Sequence, residues 1–186
     1  ELMKNKVAII IPVFNTEQYL NECLNSVCNQ TMQELEILCV YTESKDKSLE
    51  ILQKFEKKDN RVRIIRRDDG GLGGARNEGL KHVNSNYVFF LDSDDFIAKN
   101  AIEELYNKAT KENSDMVIFP FYSYNETTKK VEKNSWGNTL NFNKQLFNRT
   151  FNYFDIEPSK IITDNSPVTA WCKLYKTEFL KSNNIL

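Results

Sequence analysis

Val88-Phe89-Phe90-Leu91-Asp92-Ser93-Asp94-Asp95 carries an apolar run directly into three carboxylates within four residues. The apolar part, Tyr87 to Leu91, has the pattern of a strand buried on both faces, as in a parallel sheet covered by helices. The acids then lie at the strand's carboxyl end, the edge where open α/β sheets bind ligands. Carboxylates this close together require a cation, and hard oxygen donors suit Mn²⁺ or Mg²⁺ carrying substrate phosphates. Asp and Ser are also ordinary turn and helix-cap residues, so the run alone leaves both readings open.

Outward from this stretch, strands and helices alternate with short connections through about residue 121, which indicates βαβ units in a parallel sheet. Val7 to Pro12 is the first strand, and Thr16 is placed to cap a helix with Tyr19, Leu20, Cys23, Leu24 and Val27 on one stripe. Leu35 to Tyr41 is the second strand. A helix opened by Ser44 or Asp46 follows, with Leu49, Leu52 and Phe55 inward, and then a short strand from Val62 to Ile65. Five of the six glycines fall between positions 70 and 79, ahead of and within a helix carrying Ala75, Leu80 and Val83. Such concentration marks a backbone that turns sharply or approaches a ligand closely, or a plain flexible loop. After the acidic run come a helix from Ala101 to Ala109 and a strand from Met116 to Tyr122. Glu126 to Lys130 reads as a hairpin turn, Phe142 to Phe154 has helical spacing, and Trp171 to Leu180 reads as a strand entering a terminal helix.

The 186 residues suit a single domain, with 27% charged and 40% hydrophobic residues marking a soluble globular protein. A formal net charge of -1 offers no global attraction to nucleic acid. Arg61, Arg63, Arg66 and Arg67 alternate along a strand without interleaved aromatic rings and read as a solvated face. His82 reads as a surface residue. Cys23, Cys28, Cys39 and Cys172 show no Cys-x-x-Cys pair, which argues against zinc and for small core side chains with reduced thiols. No apolar run approaches the roughly 20 residues that span a bilayer. The chain reads as cytoplasmic, and any peripheral association with the inner face of the cell membrane would run through residues outside it.

Gly70-Gly71-Leu72-Gly73-Gly74-Ala75 follows the third strand and fails the dinucleotide fingerprint, and no Walker A sequence occurs. Four ordered segments instead resemble glycosyltransferase family 2. These are Ile10-Ile11-Pro12-Val13-Phe14-Asn15 with the helix ending in Asn29-Gln30-Thr31, Gly71 to Gly79 with its Ala75-Arg76-Asn77, Phe89 to Asp95, and Ala170-Trp171-Cys172-Lys173-Leu174-Tyr175. The resemblance implies the GT-A fold, a Rossmann-like three-layer α/β/α arrangement on a mostly parallel central sheet. It divides the domain into a nucleotide-binding half, 1–121, and the start of an acceptor-side half, 122–186. It also implies inverting transfer of a sugar from a nucleoside-diphosphate donor, UDP-sugar favoured, to a hydroxyl on a glycan or glycolipid acceptor.

By the same resemblance, Asp94 would coordinate the Mn²⁺ or Mg²⁺ that bridges the donor phosphates, with Asp92 sharing the ion or meeting the ribose. Asp95 would share this site or cap the next segment. Pro12, Val13, Phe14, Asn15, Glu17, Thr42, Gly74, Arg76, Asp92 and Ser93 would line the nucleotide-sugar site. Glu17 could equally cap a helix, and Arg76 could pair with Asp68, Asp69 or Asp92 in place of a phosphate. Val40-Tyr41-Thr42-Glu43-Ser44-Lys45-Asp46 departs from the family's Val-Asp-Asp-Gly-Ser-x-Asp, with both early carboxylates replaced. The general base is expected beyond Leu186 in a truncated domain, since Asp155, Glu157 and Asp164 do not match its usual context. A noncatalytic binding module and a transferase of a polyol phosphate are the alternatives.

Overall fold

The computed structural model describes residues 5–68, 71–119, 121–134 and 170–185. It falls into two compact units, one of Glu1–Val117 with Lys173–Leu186 and one of Ile118–Cys172. In the first, the order is β1 (Val7–Val13), α1 (Glu17–Cys28), β2 (Leu35–Thr42), α2 (Ser48–Lys58), β3 (Val62–Arg67), α3 (Leu72–Lys81), β4 (Tyr87–Phe90), α4 (Ala101–Lys111) and β5 (Met116–Ile118). In the second, β6 (Phe121–Asn125) and β7 (Lys130–Asn134) form an antiparallel hairpin. The chain then returns to the first unit with β8 (Lys173–Lys176) and α5 (Thr177–Ser182).

The six-stranded sheet has the order β3-β2-β1-β4-β8-β5. Strands β1 to β4 run parallel and β8 runs antiparallel beside β4, so the expected mostly parallel sheet is present. Every residue of β1 is buried, as is every residue of β4, because these central strands are covered on both faces. At the edge, β3 buries only Val62 and Ile65 fully, and its arginines reach outward at Arg63 and Arg66. Right-handed crossovers place α1 and α2 on one face and α3 on the other, where α3 packs on β1 and β2.

Several local expectations are corrected. Met116 to Tyr122 is not one strand; β5 ends at Ile118 and β6 begins at Phe121. The inward stripe of α2 is Ser48, Ile51 and Leu52 with Phe55 half-buried, a 0, 3, 4, 7 spacing that leaves Leu49 only half-covered. Arg61 does not belong to a solvated face: it binds Asp59 at 2.7 Å and the Cys28 carbonyl at 2.8 Å, tying the end of α1 to the start of β3. His82 is half-exposed, 3.2 Å from Glu78. None of the four cysteines is joined in a disulfide among the described residues. In the hairpin, the Thr127 and Thr128 amides both donate to Asn125 Oδ1, which closes the expected turn. The helix anticipated over 142–154 lies outside the described residues, as do Asp155, Glu157 and Asp164.

At Gly79 the helix approaches the sheet itself: a Cβ there would lie 2.6 Å from Ile10 Cγ2 and 3.2 Å from Val40 Cγ2. The seat of α3 on the sheet therefore depends on the missing side chain. Gly79→Ala would gain about 1 kcal/mol in an exposed helix. Here it is expected to lose about 1–2 kcal/mol to overpacking, read as a lower urea midpoint. A midpoint at or above wild type would show that the helix sits less tightly.

Candidate functional site

The chain reverses its direction of growth between β1 and β4, since β2 and β3 extend one way from β1 and β4 lies on the other side. Such a switch point opens a crevice at the strands' carboxyl ends. The Leu91 amide still donates to the Ile10 carbonyl at 3.0 Å, and beyond it the β1–β4 ladder stops. Ile10 faces β4 with its backbone groups, and Pro12, two residues on, faces the same way with no N–H to offer. Proline thus ends the pairing without orphaning a donor. Pro12 and Val13 are buried in β1 against Val40 and Tyr41, whereas Phe14, 58% exposed, and Asn15 emerge from its end.

Across the crevice, Asp92 is half-buried, Ser93 buried, and Asp94 and Asp95 exposed. Arg76, on α3, reaches Asp92 Oδ1 with Nη2 at 2.6 Å, and the two side chains are only 15% and 21% exposed. Of the partners the sequence offered Arg76, Asp92 is joined to it, and Asp69 lies outside the described residues. Arg76 Nε is buried with no hydrogen-bond partner among the described residues, a donor still to be satisfied. Asp95 retains exposed surface, yet burial of its surroundings and then the Asp94 and Asp92 carboxylates push it up to about 6. The turn is closed by the Asp95 amide on the Asp92 carbonyl at 3.0 Å. The Cys23 thiol reaches the same carbonyl at 3.8 Å.

The segment after the acids is pinned to the end of α1. Buried Gln30 donates to the Ala98 carbonyl at 2.7 Å and accepts from the Ile102 amide at 3.1 Å, while Ser26 Oγ accepts from Ile97. This gives the Asn29-Gln30-Thr31 element a structural task, which is to hold the chain leaving the acidic turn.

The loops after β1 and β2 are laced together. The Asn15 amide donates to Ser44 Oγ, and Asn15 Oδ1 accepts from Lys45 at 2.9 Å. The Thr16 amide donates to Ser48 Oγ. Asp46 accepts from the Glu17 amide at 2.9 Å and from Ser48 at 3.0 Å, and Glu17 Oε2 accepts from Lys47 at 2.7 Å. Each helix start is therefore served by a carboxylate of the other loop, as the exposed N–H groups and dipole favour. Burial would raise Asp46, but these hydrogen bonds hold its carboxyl below the usual value. Thr16 does not cap α1 as expected, and its hydroxyl is buried without a partner. Glu17 takes its capping alternative, on α2 rather than on its own helix.

Tyr41 stands where a carboxylate was expected; it is buried, and its hydroxyl accepts from the Ser44 amide at 2.9 Å. Arg66 lies 5.9 Å over its ring. Thr42 is half-buried and its carbonyl accepts from Ser44 Oγ. Gly74 is where the Arg67 guanidinium rests, since a Cβ there would lie 2.1 Å from Arg67 Nη1. The structure thus places Phe14 and Asn15 just past the carboxyl end of β1 and Asp92, Ser93 and Asp94, with Arg76 paired to Asp92, just past that of the neighbouring β4. Glu17 and Thr42 serve the loop lacing, and Gly74 makes room for Arg67.

The family model for glycosyl transferase family 2 matches residues 8–179. The chain belongs to this family. Among curated relatives, it is 32% identical over 97% of its length to glycosyltransferase GlyA of Streptococcus pneumoniae. It is 35% identical, again over 97%, to the poly(ribitol-phosphate) beta-glucosyltransferase of Bacillus spizizenii, and it spans 26% of each of these two proteins. The crystal structure of residues 1-349 of TarS from S. aureus, in complex with UDP, superposes with a TM-score of 0.71 at 26% identity, covering 97% of this chain and 49% of that one. The fold is therefore the GT-A fold that the family resemblance implied.

Among the described residues, no group of three or more His, Cys, Asp or Glu side chains could hold a metal by itself. The acidic turn nonetheless fits a hard cation that takes one or two carboxylates and completes its shell with phosphate and water. Asp94 and Asp95 are its exposed carboxylates, neither in an ion pair among the described residues. An acid raised above its ordinary value of 3.8 favours the folded state when protonated, so Asp95 withdraws stability as pH climbs from about 4 to about 6. Asp95→Asn is accordingly expected to raise Tm relative to wild type more at pH 7 than at pH 4.5. A difference independent of pH would contradict the crowding of these carboxylates.

Proposed function

We propose that the protein is a metal-dependent inverting glycosyltransferase that takes a sugar from a nucleoside-diphosphate donor, UDP-sugar favoured. Its acceptor is a hydroxyl on a surface polysaccharide or glycolipid. The observation that carries this reading is the switch point between β1 and β4, with exposed Phe14 after the end of one strand and the 92–95 turn with Arg76 after the end of the other. Support comes from TarS 1-349, whose structures include complexes with UDP and with UDP-GlcNAc. Relatives named for poly(ribitol-phosphate) glucosylation and cholesterol galactosylation also transfer sugars to hydroxyl-bearing envelope polymers or lipids.

In this reading the Phe14 ring stacks on the base, while Asn15 and the backbone of Pro12 and Val13 shape the nucleoside pocket. Arg76 offers its forked donors to the diphosphate, and the Ser93 and Asp92 end of β4 meets the ribose side. Asp94, assisted by Asp92, would hold Mn²⁺ or Mg²⁺, which when bound supplies positive charge against the leaving diphosphate. A hydroxyl acceptor must lose its proton, and no described residue is assigned that role. We place the protein in the cytoplasm, at the inner membrane face when the acceptor is lipid-linked; no described helix is long and apolar enough to cross a membrane.

A second reading, a family member that binds without catalysis, is favoured by the neutral Tyr41 and Thr42, which are absorbed into the loop lacing. Thermal unfolding with UDP, GDP, CDP or dTDP, each with Mn²⁺ and again with EDTA, separates the two. Stabilisation by UDP at a hundredfold excess over its Kd amounts to about 2.7 kcal/mol. We expect it with Mn²⁺, and expect it to vanish with EDTA or in Asp94→Ala. No stabilisation by any nucleotide would move the protein to the second reading, and undiminished binding by Asp94→Ala would remove the metal assignment.

A further inference from the structure

Asp92 and Arg76 are each required elsewhere in the donor site and are here engaged with each other. Resting on the donor reading above, we infer that this ion pair is an exchange device. Arg76 holds Asp92 until a diphosphate takes over the guanidinium, so that metal and nucleotide bind together rather than singly.

Three features of the pair carry the inference. The Nη2–Oδ1 distance of 2.6 Å with both side chains mostly covered makes it a charge-assisted bond shielded from solvent, unlike the exposed Lys81–Glu78 pair on the same helix. Arg76 Nε is also buried without a partner among the described residues, so the guanidinium has unused donor capacity beyond the contact it already makes. The third feature is the asymmetry of the turn. Asp92 is neutralised by a cation that the fold supplies, whereas Asp94 and Asp95 are exposed and have no ion pair among the described residues. A divalent ion arriving alone meets the exposed Asp94 and Asp95 and must compete with Arg76 for Asp92. A diphosphate arriving alone meets an arginine whose charge is already matched. When both arrive, Arg76 turns its charge to phosphate oxygens and Asp92 is released to the ion, and the two unfavourable separations disappear together. Such mutual dependence is a coupling free energy, and it is reciprocal between the two ligands.

The tight β3–α3 corner makes the exchange local. Arg67 lies against Gly74 and α3 is seated on Ile10 through Gly79, so the helix is fixed and only the end of the Arg76 side chain has to move. Arg76 is in this sense a positioning residue for the ion, acting through Asp92.

The test uses this chain and titrates Mn²⁺ alone, followed by electron paramagnetic resonance, and UDP with and without Mn²⁺, followed by calorimetry. Arg76→Gln frees Asp92 and is expected to bind Mn²⁺ alone about tenfold more tightly than wild type, the scale of one charged hydrogen bond. The same variant is expected to bind UDP with Mn²⁺ more weakly and to lose most of the dependence of one ligand on the other. Arg76→Lys keeps a cation beside Asp92 and should leave Mn²⁺ alone as weak as in wild type. In Arg76→Gln combined with Asp92→Asn the gain should vanish. An Arg76→Gln protein that keeps its circular dichroism and binds Mn²⁺ alone no better than wild type overturns the exchange, as does a gain that survives Asp92→Asn. Should Arg76→Gln fail to fold, Arg76→Lys decides through the coupling, which it preserves if the exchange operates and abolishes if only the arginine fork matters. Failure of wild type to bind UDP at all would sink the donor reading instead, and the Mn²⁺-only comparison would still judge the ion pair.

Discussion

Carboxylates placed at the end of a strand that has no solvent on either face must be compensated, and the structure around β4 is organised by that requirement. One acid, Asp92, is matched by Arg76 across the crevice. A second, Asp95, is pushed up to about 6, toward the form without charge. The third, Asp94, remains an exposed anion. Burial of β4 makes this arrangement rigid, because its backbone is paired with β1 on one side and β8 on the other.

The same constraint explains why the surrounding loops are tied so thoroughly. A ligand held by the carboxyl ends of β1 and β4 needs both ends fixed, and short loops alone would leave them mobile. Asp46 and Glu17 exchange backbone hydrogen bonds between the two helix starts, and Gln30 fastens the chain that leaves the acidic turn. Tyr41 belongs to this lacing: buried beneath Ser44, it supplies an acceptor where an ionised carboxylate would have to be desolvated.

Much of this was legible in the residues. Runs such as Val7 to Pro12 and Tyr87 to Leu91 exceed what an amphipathic element tolerates, so central strands were evident, and the short αβ spacing made the sheet parallel. The pairing of Arg76 with an acid was readable as one of three choices, but which one required the distance between α3 and β4. The loop lacing was hidden because its partners lie 29 to 32 residues apart and use side chains that local rules assign to their own helices. Thr16 shows the cost of a local rule, since the service it was expected to give α1 comes from Asp46. Arg67 against Gly74 is likewise a tertiary contact, and the glycine cluster, which pointed to a sharp turn or a ligand, did not reveal the arginine and the sheet strand that its glycines make room for.

The most direct test of the account is where a paramagnetic ion settles when the nucleotide is present. With Mn²⁺ and UDP added at substoichiometric metal, amide resonances of Phe14, Asn15, Arg76 and Ser93 to Asp95 should broaden, while those of Val83 to Tyr87 and α5, at the opposite edge of the sheet, stay sharp. Broadening confined to any other surface, or none at UDP concentrations that saturate the protein, would contradict a metal-assisted donor site between β1 and β4.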